Sequence, residues 1–408
     1  MSQFNSINAG MRNPMSKLLR NISVLDMTEG VAGPRASSIL GDMGASVIKV
    51  ERPEGDWGRG SEDPLRPYFV ANNRNKRDIC LDLQKKEAGP VIQRLVERSD
   101  VVLSNYRKGV MERLGVGYEA CQKMNPGVIY CTISAFGQRG PYANLPASDT
   151  GMQALSGIMD SIGEMEGLPL RVSFPLVDIH SASMAVEGIL LALYARQQGK
   201  LGTRIDISLL NAAMSLQAMP FTSFLMTGEL PKRCGNQNPS LSPAGAYRTK
   251  NDKYMTIAIL GESYWERFCR AIGMGQISKD ERFKNNSLRV KNRAALNEIV
   301  VPIFLGKPRE EWIRIFREAD ILCSPINNFA DLLDDSGLAE SIPLWKCRLK
   351  GKEIRMMGNP IEMDGQYLTL ELPPPLKGEH THEILKELGY SHNEIQAMLS
   401  EGIAYGLH

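Results

Sequence analysis

No two cysteines in this sequence stand in Cys-x-x-Cys spacing, and the seven present (Cys80, Cys121, Cys131, Cys234, Cys269, Cys323 and Cys347) are odd in number and scattered. That pattern excludes a disulfide framework and a zinc ribbon, and it fits a reducing, cytoplasmic compartment. No stretch approaches the roughly 20 apolar residues that span a bilayer, so no membrane partner is expected. No Gly-x-Gly-x-x-Gly follows a strand, which removes the dinucleotide fingerprint. Charge of one sign is not in excess either: 48 Lys and Arg against 46 Asp and Glu leave +2, giving no reason to expect nucleic acid. Histidine is scarce, with four of five at or after His380, so neither a Ser-His-Asp triad nor a metal-ligand cluster is supported. The first 17 residues carry Arg12 and Lys17, no acid and no apolar core. They fit a frayed extension or a weak presequence, and not a secretory signal.

What is present is an ordinary globular composition, 43% hydrophobic and 23% charged, over 408 residues, too long for a single core. Ile22 to Met27 reads as a buried strand and Arg35 to Met43 as a helix opened by Pro34. Val47 to Val50 is a second strand, so the three make a βαβ unit. The alternation continues through strands at 79–83, 100–103 and 128–133, with a helix at 88–99. It predicts a doubly wound parallel α/β sheet. A Gly- and Pro-rich shift at 228–245 marks a boundary, and strand and helix signals beyond it suggest a smaller α+β domain.

The stretch Phe174 to Gly202 draws most attention. An apolar run ends on Asp178, small residues follow, and a long helix carries Ile189, Leu190, Leu193 and Tyr194 on its apolar side. Position alone makes Asp178 a helix cap. A carboxylate with a reference pKa near 3.9 is also a nucleophile that needs no general base, and a helix starting near Ser181 would favour its charge. Arg52, Arg59, Arg74, Lys76, Arg77, Arg107 and Arg113 fall at predicted strand ends or in adjoining loops, where converging guanidinium groups suit phosphates.

Six ordered stretches then resemble the family III coenzyme A transferases, the CaiB/BaiF-like group that includes formyl-CoA and carnitine CoA-transferases. They are VLDMTEGVAGPRASSILGDMGASVIKVERPEGD (24–56), NRNKRDICLDL (73–83), DVVLSNYRKGVMERLGVGYE (100–119), NPGVIYCTISAFGQRGPY (125–142), VDIHSASMAVEGILLALYARQQGKLGTRIDISLLNA (177–212) and KGEHTHEILKELGYS (377–391). The resemblance implies that Asp178 attacks a donor acyl-CoA to give a mixed anhydride and then an aspartyl-CoA thioester, from which an acceptor carboxylic acid takes the CoA. It implies CoA contacts from Val31, Arg52, Leu81 and Arg113. No tightly bound cofactor or metal is needed, acyl-CoA being a substrate. It implies an interlocked homodimer, with a discontinuous large domain (18–224 and 326–408) and a small one (225–325). Ser181-Ala182 stands where the family often has Thr-Gly, and Ala135 stands where it has a lysine. Gly235 to Pro239 replaces the glycine-only loop of formyl-CoA transferases, so formyl-CoA and oxalate are not favoured. The same fold hosts α-methylacyl-CoA racemases, which carry Gly-His-Asp where this chain has Ala147-Ser148-Asp149. Without that histidine one of the two proton-transfer groups is missing. A non-catalytic CoA-binding protein is the remaining alternative, and Asp178 argues against it.

Overall fold

The computed structural model describes residues 18–60 and 66–407, so the expectation for the N-terminal 17 residues lies outside the described residues. The chain divides into two units. The first comprises the chain up to Ile158, Val172–Met226 and Ile342 onward, and the second Met159–Arg171 and Thr227–Ser341. The second unit is thus longer than 225–325: it takes in an excursion before the long helix and two short helices, Phe329–Asp334 and Ser336–Glu340, after its last strand.

Six parallel strands set the frame of the first unit: β1 Ser23–Met27, β2 Ser46–Glu51, β3 Lys76–Leu81, β4 Val101–Ser104, β5 Ile129–Ser134 and β6 Thr203–Ser208. Their spatial order is β3-β2-β1-β4-β5-β6. A two-residue strand, Ala404–Tyr405, adds antiparallel to the outer edge of β3. The first strands are near-continuous apolar runs because helices cover both faces, the pattern of a buried parallel sheet. On one side, Leu25, Ile79 and Leu81 pack with Val91, Ile92, Leu95 and Val96 of a helix, α2 (Gly89–Glu97), and with Ile384 and Leu385 of a C-terminal helix. Truncating one such buried leucine to alanine typically costs about 2–5 kcal/mol.

The other face carries α1 (Ala32–Asp42) and the long α4 (Leu176–Gln197); between them in the chain lies α3 (Asp149–Leu155). The α4 face that is buried is Val177, Ser181, Ala182, Ala185, Val186, Ile189, Ala192 and Leu193. Tyr194, expected on the apolar side, is 61% exposed, and Leu191 is exposed as well. The buried face is rich in small residues, as is that of α1 (Ala32, Gly33, Ala36, Ser37, Gly41), so the two helices pack closely. By length and composition α4 could cross a membrane, contrary to the sequence expectation, yet here it packs against α1, β5 and β6.

The second unit is a three-stranded antiparallel sheet, β7 Ala244–Arg248, β8 Tyr254–Ala258 and β9 Leu322–Pro325. Helices cover it around an aromatic core of Trp265, Phe268, Phe283, Phe304, Trp312 and Phe316.

Candidate active site

In the sheet, β1 pairs with β2 on one side and β4 on the other, and chain progression reverses between β1 and β4. Loops leaving the carboxyl ends of those two strands diverge and open a crevice, the usual ligand site of such sheets. A cavity of about 440 Å³ lies there. Glu29, Val31 and Ala32 after β1, Asn105 to Lys108 after β4, Ser134 at the end of β5 with Ala135 after it, and Leu209 after β6 line it, with Trp57, Tyr68, Ala143 to Thr150, Pro175 and Asp178.

The β1–α1 loop is held from three directions. Lys49 Nζ donates to the Thr28 carbonyl at 2.7 Å and pairs with Asp56 at 2.8 Å. Asp56 in turn accepts from the Gly30 amide at 2.9 Å. Across the crevice, the Glu29 amide donates to Asn105 Oδ1 at 3.0 Å, and Asn105 Nδ2 returns a bond to the Glu29 carbonyl at 2.8 Å. Gly30 has φ +83°, and a Cβ there would fall 2.1 Å from the Trp57 ring, so only glycine fits. Beneath, Asp26 and Lys76 form a fully buried pair at 2.9 Å. Burial alone would raise the Asp26 carboxyl, but Lys76, Lys49, Ser37 and Thr28 outweigh it and hold Asp26 at about 2.

Asp178 is the third residue of α4, after the cap residue Pro175. A carboxylate at that position ordinarily reaches back to the amide of the cap residue, but proline has none. The free amides of the first turn are also taken: Val177 and Asp178 donate to Asp149 Oδ2 at 2.8 and 3.0 Å. The helix thus starts five residues before Ser181, with Asp178 inside its first turn rather than ahead of it. Burial and, second, the negative charge of Asp149 push the Asp178 carboxyl up to about 7. The carboxyl thus sits well above the ordinary carboxylate range that the sequence led one to expect. Ser148 caps α3 by accepting from the Gly151 amide at 3.2 Å, and a serine so engaged is no general base.

The sequence model of CoA-transferase family III matches residues 19–381. The chain belongs to CoA-transferase family III. It is an enzyme that moves CoA between an acyl-CoA and a carboxylic acid. It is similar to the succinate–glutarate CoA-transferase of Agrobacterium fabrum, 32% identical over 91% of this chain and 95% of that protein. A succinyl-CoA:glutarate CoA-transferase of Mus musculus is 31% identical, over 95% of this chain and 90% of that one. Among solved structures, a CaiB/BaiF family protein from Brucella suis superposes with a TM-score of 0.83 at 32% identity, covering 91% of this chain and all of that one.

Of the transferase residues singled out from sequence, Asp178 and Val31 line the same cavity. Arg52, just past β2, pairs with the cavity residue Glu29 at 3.3 Å, and its side chain is 48% exposed. Glu29 itself is raised by burial, against which Arg52 works. Leu81 ends β3 inside the apolar core with no exposed surface, and does not line the cavity. Arg113 is exposed at the end of a short helix, Val110–Arg113, beyond the cavity residues Arg107 and Lys108.

The seven strand-end cations do not converge. Arg74 and Lys76 lie before or at the start of β3, the opposite end from the crevice, because β3 starts three residues earlier than its apolar run. Arg59 pairs with Glu51 at 2.6 Å, Arg74 with Asp42 at 2.6 Å, and Arg77 with Glu383 and Glu387 at 2.9 and 2.7 Å. Among the seven, Arg107 alone lines the cavity. Sequence reading passed over Asn105 and Asp149; the switch point of the strand order is the signal that points to the first. Ser181 donates to the Val177 carbonyl at 2.8 Å within α4, and His180 shares a 2.8 Å hydrogen bond with Ser215 of α5 (Leu209–Leu216). Neither lines the cavity. Among the described residues no group of three or more His, Cys, Asp or Glu could hold a metal ion.

Proposed function

We propose that the enzyme transfers CoA through covalent catalysis by Asp178, with a short dicarboxylic acid as acceptor. The carboxylate oxygen of Asp178 adds to the thioester carbonyl of the donor; the C–S bond breaks, CoA leaves as thiolate, and a mixed anhydride remains. The thiolate then attacks the aspartyl carbonyl, expelling the donor acid and leaving an aspartyl-CoA thioester. The acceptor carboxylate repeats the two steps in reverse and departs as the new acyl-CoA. The observation that carries this reading is Asp178 in the crevice cavity with no hydrogen-bond donor from the described residues on its carboxylate. Such a group is more basic than an ordinary carboxylate, hence a stronger nucleophile, and loses an unfavourable charge when it acylates. The first turn of α1 has no side-chain cap, and its Val31 and Ala32 line the same cavity, which supplies N–H groups for a developing oxyanion.

Arg107 and Lys108 line the cavity with Asp178, and two of the relatives are named for succinate and glutarate. A cation there suits the second carboxylate of such an acid. By resemblance Val31, Arg52, Leu81 and Arg113 contact CoA, and the working form is an interlocked homodimer in the cytoplasm. A helix with no buried residue, Ala218–Thr227, exposes Met219, Leu225 and Met226 in the single chain, and an uncovered apolar helix supports a second copy there. A steady-state assay with succinyl-CoA against dicarboxylic, hydroxy and aromatic acids tests the reading. Parallel double-reciprocal lines, preference for dicarboxylic acceptors and loss of transfer in Asp178→Ala are expected. Full transfer in Asp178→Ala refutes the mechanism, and preference for a monocarboxylic acid refutes the substrate class.

A further inference from the structure

Asp149 has no role in the chemistry just derived, yet its carboxylate is the most heavily engaged group beside Asp178. It is the first residue of α3, whose own start is already capped by Ser148. Its carboxylate therefore serves another helix. Oδ2 accepts from the Val177 and Asp178 amides of α4, at 2.8 and 3.0 Å, and Oδ1 accepts from Gln153 Nε2 at 2.6 Å. Gln153 is fully buried and fixed in turn by the Val172 amide, which donates to its Oε1 at 2.9 Å. Pro175 has no side chain able to cap α4. Asp149 is thus a cap supplied in space, from a different helix, at the turn that carries the nucleophile.

We infer that Asp149 is a positioning residue for Asp178: it fixes the backbone of the nucleophile and occupies the α4 amides that would otherwise bind and quiet the Asp178 carboxylate. The inference rests on the nucleophile reading above. It takes the positive end of α4 for itself, so the nucleophile keeps its basicity, and the Asp149 charge adds to burial in raising the Asp178 carboxyl. Of the elements packed against α4, α5 has no titratable side chain and α3 has Asp149 alone. α1 brings Arg35 and Asp42, β5 brings Tyr130 and Cys131, and β6 brings Arg204 and Asp206. On α4 itself stand His180, Glu187, Tyr194 and Arg196. Among all these, Asp149 is the one whose charge acts on Asp178.

The test is the pH profile of kcat/KM for the acyl-CoA donor. In the wild type the acid limb is expected near pH 7, where Asp178 ionises. Asp149→Asn keeps a carbonyl oxygen for the amides and removes the charge, so the limb is expected to move down by about one pH unit or more. In the same variant kcat above the limb is expected to fall about threefold per unit of lost basicity, since a less basic carboxylate is a weaker nucleophile. Asp149→Glu is expected to retain the wild-type limb. A purely structural Asp149 would lower stability and leave the limb in place, and an unmoved limb in Asp149→Asn overturns the inference. Titration of the Asp178 carboxyl by carbon-13 NMR, in the wild type and in Asp149→Asn, reads the same quantity without turnover. A lower value in the variant supports the inference, and an equal value in the two proteins overturns it. Hydroxylamine trapping of the wild type with acyl-CoA separates the two readings. No adduct on Asp178 refutes the nucleophile itself, whereas an adduct combined with an unmoved limb refutes the role of Asp149 alone.

Discussion

Asp178 carries its charge against its surroundings, and that has a consequence for stability. Its folded carboxyl sits at about 7 against an ordinary 3.8, so between those values the folded state binds the proton more tightly than the unfolded chain. Stability is therefore lost as pH rises through that window, and the full cost is present above about pH 7. Asp178→Asn removes the cost. Discounted for the solvent that reaches a half-buried group, the variant is expected to be more stable than the wild type by about 1–2 kcal/mol at pH 8. The gain should vanish toward pH 4 while transfer activity is lost, as read by denaturant melts at both pH values. Equal stability at pH 8 would show that the carboxylate is not strained by its site. Asp178, which lines the cavity, was legible in the sequence as a candidate because an acid after an apolar run, inside an ordered set of motifs, is a local pattern. Asp149 was not. It stood in view only as the neighbour of a missing histidine, because its two amide partners lie 28 and 29 positions away in the chain.

At the scale of elements, the β1–α1 loop is the part whose shape the site depends on. Gly30 lets it turn with φ +83° directly against Trp57, a cavity residue. Gly30→Ala puts a methyl into the ring, and Trp57 or the loop must move. The expected result is a KM for acyl-CoA raised about tenfold or more, with a stability loss of about 1–3 kcal/mol from the strained backbone. Steady-state kinetics with a thermal melt check both, and an unchanged KM would show that the loop does not shape the donor site. The βαβ reading of this region was sound because apolar runs and a glycine stop mark it locally. The start of α4 was misplaced because Phe174 to Val177 reads as a strand end, while Pro175 opens a helix that an acid from elsewhere caps. The apolar side of α4 was read correctly at Ile189 and Leu193 and missed at Tyr194, because the small residues Ser181, Ala182, Ala185 and Ala192 take much of the buried face.

For the whole molecule, alternation of strand and helix signals implied a parallel sheet, and five of its six parallel strands lie before residue 150. The order β3-β2-β1-β4-β5-β6, which creates the crevice, is a tertiary fact that no local pattern contains. The edge strand Ala404–Tyr405 is two residues long, too short for alternation to register, yet it closes the exposed side of β3. The fate of the basic residues follows from the same limit. Opposite charges far apart in sequence, such as Arg74 with Asp42 or Arg77 with Glu383, can be paired only once the fold is known. What had looked like a set of phosphate ligands is largely the internal ion pairing that holds β2, β3 and the C-terminal helices.

Turnover of the intact enzyme with an acceptor acid labelled in both carboxylate oxygens by oxygen-18 tests the central claim most directly. In the proposed sequence each transfer leaves one acceptor oxygen on Asp178, because the bridging oxygen of the second anhydride stays with the aspartate when the thiolate attacks the acyl carbonyl. After quenching and digestion, the peptide containing Asp178 is expected to gain about 2 Da and, on repeated turnover, about 4 Da, with no other peptide labelled. Transfer that proceeds fully while the Asp178 peptide stays at natural mass would contradict the account.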